Sequence, residues 1–317
     1  MYNVSIIIPH YNTPELLKKL LDTIPSKEDI QVIVIDDNST KDIGQYDNLV
    51  ENYKNRVEFY KNNSGIQSAG ACRNIGLEHA KGIWVIFADA DDFFLPKMYM
   101  CISKYFDSEQ DMVIFSPTSI YLDTGKVADR HIVQAQRIND YFLDPTFENL
   151  LLVKKMPESW SKLIKRSVIE QYHLRFSETL YCDDRYFITM AGFYCKNTAI
   201  SNETIYCITR NKGSLTTVLS ETLFDTSVIE FIKSYQFAKE KYDSKSFECL
   251  NLNGGMLIFK AFKHKFGVKK IWRTWKLLNE NKIPLLSKQM KNPIYLLKSI
   301  ILNNRIIESE KAFYVHK

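Results

Sequence analysis

The chain has no C-x-x-C pair and no zinc spacing among its six cysteines, Cys72, Cys101, Cys182, Cys195, Cys207 and Cys249. That argues against a disulfide framework or a zinc module and suits a reducing compartment. The histidines, His10, His79, His131, His173, His264 and His316, fall at no ligand spacing and receive no metal role. Long apolar runs are missing too: none reaches the roughly 18 residues that a membrane span needs. The opening "MYNVSIIIPHYN" lacks a basic n-region, and its apolar stretch runs only from Val4 to Ile8. Neither a signal peptide nor a span is expected there, and a cytoplasmic location follows, free or resting on a surface. There is no internal repeat, no low-complexity tract and no nucleic-acid motif.

What is there is an ordinary globular composition, 45% hydrophobic and 25% charged over 317 residues. Such a chain is long enough for one large domain or two modest ones. The net charge of +5 is unevenly spread. Residues 257–317 hold 14 Lys/Arg against 3 Asp/Glu, a charge of +11, which leaves −6 on residues 1–256. A mildly acidic body with a basic tail suggests two functional parts.

"VSIIIP" (4–9) is a short apolar run ended by proline and reads as a buried strand. "PELLKKLLDTI" (14–24) spaces Leu16, Leu17, Leu20, Leu21 and Ile24 as a helix does, with Thr13 as N-cap and Pro14 at the first helical position. Strands are expected at 30–37, 57–62, 83–88 and 111–117, with helices at 66–81 and about 96–106. The pattern weakens from about 118 to 160. A helix is expected just after Asp184, a late strand at 202–210, a polar loop at 211–217, and helices from about 220 to the end. Strands alternating with helices imply βαβ units, a mostly parallel sheet flanked by helices, and a ligand site beyond the carboxyl ends of the strands.

At that edge, "IWVIFADADDFF" runs an apolar strand into three carboxylates, Asp89, Asp91 and Asp92, and "VIVIDD" ends in Asp36 and Asp37. Like charges this close repel and raise one another's proton affinity unless a cation or donors offset them, so a bound cation, a phosphorylated aspartate or a solvated loop would each account for the crowding. Mg²⁺ or Mn²⁺ takes oxygen ligands, often one or two carboxylates plus substrate phosphates. An EF-hand starting at Asp89 would need Gly at 94 and Glu at 100, which are Phe94 and Met100. A D-x-D-x-T phosphatase would want Thr or Val where Phe93 stands.

Five pieces occur in order: "VSIIIPHYN", "VIVIDDNST", "GIQSAGACRNIGLEHAKGIWVIFADADDFF", "SWSKLIKRSVI" and "ETLYCDDRYF". Together they resemble a family 2 glycosyltransferase of the bacterial surface-polysaccharide type, over roughly residues 3–217. The resemblance implies a GT-A fold, a Rossmann-like mixed but mostly parallel α/β sheet flanked by helices, here with a C-terminal helical extension. It implies a catalytic domain over 1–217, its donor half at about 1–117 and its acceptor half at about 118–217, and a basic, mainly helical region over 218–317. The implied reaction is inverting transfer of a hexose or N-acetylhexosamine from a UDP-sugar to a saccharide hydroxyl.

Residue by residue, the resemblance assigns the nucleoside to the loop Pro9–Asn12, including Tyr11, and to Asp37, which matches the carboxylate that accepts from the uracil N3–H. Arg73 and Asn74, in a glycine-punctuated entry to a helix, would contact the diphosphate. Asp91 matches the direct ligand of Mn²⁺ or Mg²⁺. Asp89 would contact ribose or a water on the ion, and Asp92 would orient the loop on the sugar side. Asp184 matches the general base and Asp183 its support, where the family usually has Glu. Trp160 matches an aromatic near the acceptor or donor sugar. The loop 210–217 could close over the diphosphate, with Gly213 as hinge.

In "GMLIFKAFKHKFGVKKIWRTWKLL", Phe259, Phe262 and Phe266, then Ile271, Trp275 and Leu278, recur at helical spacing with lysines between them. Such helices can lie on an anionic membrane surface or pack on the catalytic domain with solvated lysines outside. "NPIYLLKSIILNNR" (292–305) is a second amphipathic stretch, so membrane contact would involve 257–305. Many soluble members of the family extend saccharides carried on a lipid, and nucleic acid is not an expected partner. Two rival functions are a sugar nucleotidyltransferase, which wants a Gly-rich basic loop where "PHYNTPE" stands, and a sugar-nucleotide- or membrane-binding module without turnover.

Overall fold

The computed structural model describes residues 1–210 and 219–287, and Leu297. The expected diphosphate loop at 211–217 and nearly all of the amphipathic stretch 292–305 therefore lie outside the described residues. The chain divides into two compact units, Met1–Arg210 and Asn211–Lys317.

The first unit holds one eight-stranded sheet: β1 (Val4–His10), β2 (Ile30–Asp36), β3 (Glu58–Lys61), β4 (Trp84–Phe87), β5 (Phe93–Phe94), β6 (Met112–Tyr121), β7 (Lys162–Lys165) and β8 (Thr198–Arg210). The spatial order is β3-β2-β1-β4-β7-β6-β8-β5. Its helices are α1 (Pro14–Thr23), α2 (Ile43–Tyr53), α3 (Ala69–His79), α4 (Met98–Ser103), α5 (Ile132–Leu143), α6 (Phe147–Lys154), α7 (Arg166–Gln171) and α8 (Asp183–Tyr194). Strands β1 and β2 are almost wholly buried, as expected of strands covered by helices on both faces. Four of the seven strand pairings are parallel. The other three are antiparallel and all involve β7 or β5, neither of which the sequence pattern marks out.

Proline does not end the first strand. Pro9 pairs with Ile35, and β1 continues to His10. The Ile7 carbonyl accepts from the Ala88 N–H, so Pro9, two residues on, turns its missing N–H to the side where β4 has already stopped. With β2 on one side and β4 on the other, β1 is the point where strand order reverses, and the rim opens there. Thr13 precedes α1 but makes no side-chain cap; its N–H donates instead to His10 Nε2 (3.2 Å).

Helix α3 approaches its neighbours closely. A Cβ at Gly76 would stand 2.3 Å from Ile7 Cγ2, and one at Gly70 would stand 2.1 Å from the Ser177 carbonyl oxygen. Only glycine permits both approaches, and the second brings α3 against the segment leading into α8.

The second unit contains α9 (Glu221–Lys241), α10 (Ser244–Cys249), α11 (Gly255–Lys263) and α12 (Gly267–Glu280). Phe224, Val228, Tyr235, Leu257, Ala261, Leu278 and Ile283 form its core. The amphipathic run expected over 255–278 is broken between α11 and α12, where Lys265 (φ 56°) and Gly267 (φ 81°) take left-handed conformations. Its predicted stripe splits accordingly: Leu278 is buried, whereas Phe262 and Trp275 are exposed.

Candidate active site

Two walls meet at the carboxyl edge of the sheet. One is built from the ends of β1 and β2. His10 Nδ1 donates to Asp36 Oδ1 (2.9 Å), while its Nε2 accepts from Thr13, which fixes the tautomer. Tyr46 stacks on the His10 ring at 4.9 Å. Asp36 also accepts from the Ser39 N–H (3.0 Å) and hydroxyl (2.5 Å). Burial works against the Asp36 charge, but these hydrogen bonds outweigh it and hold the carboxyl below its usual range. Asn12, at φ 56°, receives the N–H groups of Thr40 (2.7 Å) and Lys41 (2.9 Å) on its Oδ1, which ties the loop after β1 to the loop after β2. Asp37 accepts from Asn62 Nδ2 (2.5 Å), and burial raises its proton affinity. Tyr11, in the loop that follows β1, is exposed.

The second wall is the acidic loop after β4. Strand β8 holds it through four hydrogen bonds. The Tyr206 hydroxyl accepts from the Asp89 N–H (2.8 Å) and donates to Asp92 Oδ2 (2.9 Å). The Thr209 N–H donates to Asp92 Oδ1 (2.7 Å), and the Thr209 hydroxyl donates to the Asp91 carbonyl (2.6 Å). Asp92 is therefore a buried anchor whose two carboxylate oxygens are both engaged within the protein. Trp160 is buried, stacks on Tyr206 at 6.0 Å and bridges Phe87 at the end of β4.

Arg73 joins the acidic loop to the start of α8. Its guanidinium donates to Asp89 Oδ1 through Nη2 (2.6 Å) and to Asp183 Oδ2 through Nη1, while its face lies 5.3 Å from the centre of the Phe176 ring. Arg73 is 5% exposed, so its guanidinium and its pair with Asp183 are shielded from water, whereas Asp89 is more open. Asn74 grips the same segment: its Oδ1 accepts from the Phe176 N–H (2.8 Å) and its Nδ2 donates to the Phe176 carbonyl (3.1 Å). Both residues, expected at a diphosphate, bracket α3 to the segment that enters α8, and Arg73 also reaches the acidic loop. Asp183 and Asp184 lie in the first turn of α8, where the helix favours negative charge. Burial and the neighbouring Asp183 overcome that preference and push Asp184 up to about 7.

The Asp91 carboxyl is pushed up to about 6 by burial and by Asp89, against a weaker pull from Arg130 and a backbone hydrogen bond. Among the described residues no group of three or more His, Cys, Asp and Glu side chains converges. The donors present nevertheless suit a hard divalent ion that takes one or two carboxylates and completes its shell with substrate oxygens. Arg73 already pairs with Asp89, whereas Asp91 makes no ion pair among the described residues.

Sequence reasoning gave His10, Tyr206, Thr209 and Asn62 no role. Their partners lie far along the chain, and no local motif announces them; the polar end of the otherwise apolar "TIYCITR" strand was the only available sign.

Residues 5–172 match the family Glycosyl transferase family 2. EpsH from Bacillus subtilis (strain 168) is 26% identical over 248 residues, covering 75% of this chain and 69% of EpsH. The poly(ribitol-phosphate) beta-N-acetylglucosaminyltransferase TarS from Staphylococcus aureus (strain Mu50) is 24% identical over 225 residues, covering 67% of this chain and 36% of TarS. The chain thus spans about two thirds of EpsH and about a third of TarS. Among solved structures, S. aureus TarS residues 1–349 in complex with UDP-GlcNAc superposes with a TM-score of 0.71 at 17% identity, covering 99% of this chain and 91% of that one. A mannosyltransferase from Pyrobaculum calidifontis in complex with GDP-Man and Mn²⁺ gives 0.56 at 13% identity, covering 98% and 84%.

The fold is GT-A, with a C-terminal helical extension. The chain belongs to glycosyl transferase family 2.

Proposed function

We propose that this enzyme moves a hexose or N-acetylhexosamine from a UDP-sugar to a saccharide hydroxyl with inversion, in the assembly of a bacterial surface polysaccharide. The observation that carries the reading is Arg73, which pairs with Asp89 from the acidic loop and Asp183 from the start of α8 and so brings both acidic motifs to one rim. TarS, with UDP-GlcNAc bound in a structure of similar fold, supports a UDP-sugar donor.

In this reading residues 1–217 form the catalytic domain. The wall of Pro9, Tyr11, Asn12 and Asp37 receives the nucleoside, and Asp37 accepts from the base. Asp91, with Asp89, would hold Mn²⁺ or Mg²⁺, which supplies positive charge to offset that developing on the departing diphosphate. Asp184 takes the proton of the attacking hydroxyl, a contribution of roughly 10²–10⁴ in rate. Asp183 and Arg73 hold the turn that carries Asp184. Trp160 backs the sugar region, and Asp92 keeps the loop aimed. The basic region from 218 onward, through 257–305, rests on the anionic cytoplasmic face of the membrane, which suits a lipid-linked acceptor.

The test is a panel of nucleotide sugars, scored for Mn²⁺-dependent release of nucleoside diphosphate and for protection against melting. UDP-hexoses or UDP-N-acetylhexosamines should stand out. Equal indifference to every nucleotide sugar would favour a module without turnover.

A further inference from the structure

Glu158 is used by none of the roles above. Residues 156–161 run from the end of α6 toward β7 along the rim of the sheet, because Trp160 bridges Phe87 and stacks on Tyr206. Lys162 ties this segment from inside. Its ammonium is fully buried and donates to the carbonyl oxygens of Met156 (3.0 Å) and Glu158. The backbone of Glu158 is thereby fixed, and its charge adds to the effects of burial and Asp183 in raising the proton affinity of Asp184.

Glu158 Oε2 is buried and has no hydrogen-bond partner. A carboxylate oxygen removed from water without a donor costs free energy, so the arrangement suits a site whose donor arrives with a ligand. The charged groups that act on Asp184 include Asp183 of α8, Arg73 of α3, Asp89 after β4, Lys162 of β7 and Glu158 itself. Arg73 is occupied by Asp89 and Asp183, and Lys162 by two carbonyls, so neither cation serves Oε2. An anionic ligand would be repelled by Glu158, Asp183 and Asp184 together. A neutral hydroxyl would not.

We propose that Glu158 accepts a hydrogen bond from an acceptor hydroxyl adjacent to the attacking one, and so selects which hydroxyl of the saccharide meets Asp184. The inference rests on the reading of Asp184 as base. A saccharide presents vicinal hydroxyls: one gives its proton to Asp184, and its neighbour donates to Glu158. Such a residue touches the substrate and reads the configuration of the ring carbon beside the new linkage.

The experiment uses the full chain with Mn²⁺, UDP-GlcNAc as donor probe, and p-nitrophenyl pyranosides and water as acceptor probes. Glu158→Ala should raise the acceptor KM by about tenfold, Glu158→Gln by less, and Glu158→Asp least, as expected for loss or displacement of a charge-assisted hydrogen bond. The affinity for UDP with Mn²⁺ should stay within about twofold, because the nucleoside wall is elsewhere. With water as acceptor, Glu158→Gln should move the acid limb of UDP-GlcNAc hydrolysis to lower pH, since a like charge facing Asp184 is gone. An unmoved acid limb, an unchanged acceptor KM, or a parallel loss of UDP affinity would each overturn the proposal. Wild-type hydrolysis tests the donor reading and the wild-type-to-variant differences test Glu158, so the two fail separately.

Discussion

Asp91 and Asp184 are carboxyl groups that the fold prefers protonated and the proposed chemistry needs ionised. Burial and a neighbouring aspartate hold them at about 6 and about 7, against an ordinary value of 3.8. The linkage follows from the sign of the shift: a carboxyl raised on folding contributes stability that is full below its unfolded value and is lost as pH climbs through the folded one. The metal-free protein should therefore lose thermal stability as pH rises from about 4 to about 7 through these groups, and transfer should fall as pH drops below about 7 and Asp184 protonates. Asp184→Asn should abolish transfer, keep UDP binding, and raise the metal-free melting temperature at pH 8. A melting temperature that ignores both pH and the substitution would refute the electrostatic account. Asp91→Ala should instead lose Mn²⁺-dependent UDP binding; calorimetry that finds undiminished metal-dependent binding would remove Asp91 from the ion.

Among the elements, β8 is the one that shapes the acidic loop. Its Tyr206 hydroxyl stands between the Asp89 N–H and the Asp92 carboxylate, and Thr209 holds the other side. Tyr206→Phe keeps the ring that packs on Trp160 and Phe94 but strands a buried N–H and a carboxylate oxygen. The cost should be about 1–3 kcal/mol of stability, with a fall in kcat and a raised Mn²⁺ requirement. Equal metal titration curves for wild type and variant would show that the clamp does not position the loop. The helix α3 acts likewise from the opposite side, and its glycines give it the close approach that lets Arg73 reach Asp183.

On the scale of the whole molecule, charge is segregated: −6 over residues 1–256 and +11 over 257–317. In the second unit Phe262, Trp272 and Trp275 are exposed at 70%, 55% and 44% among lysines. No helix among the described residues is long and apolar enough to cross a membrane. If the basic region rests on anionic lipid, the protein should sediment with phosphatidylglycerol vesicles at low salt. It should be released by about 0.5 M NaCl, as attraction of about 1 kcal/mol per lysine is screened. Trp272→Ala with Trp275→Ala should weaken the interaction. Equal binding to neutral and anionic vesicles would count against the electrostatic part.

The amino-acid sequence by itself determined the parallel half of the sheet and the identities of the acidic motifs. Apolar runs such as "VSIII" and "IQVIVI" can be buried only as covered strands, and polar groups at their ends must fall on one rim. It did not reveal β7 or the helices between 118 and 160, where the periodicity is short and interrupted, and it put an end to β1 at a proline that the open rim tolerates. The partners of Arg73, Asn74 and Asp92 were decided by tertiary structure alone. Asp183 lies 110 residues from Arg73, and Tyr206 lies 114 from Asp92. A hydrogen bond across that distance leaves no period in the chain, and it exists only because packing brings α3, α8, β4 and β8 to the same edge.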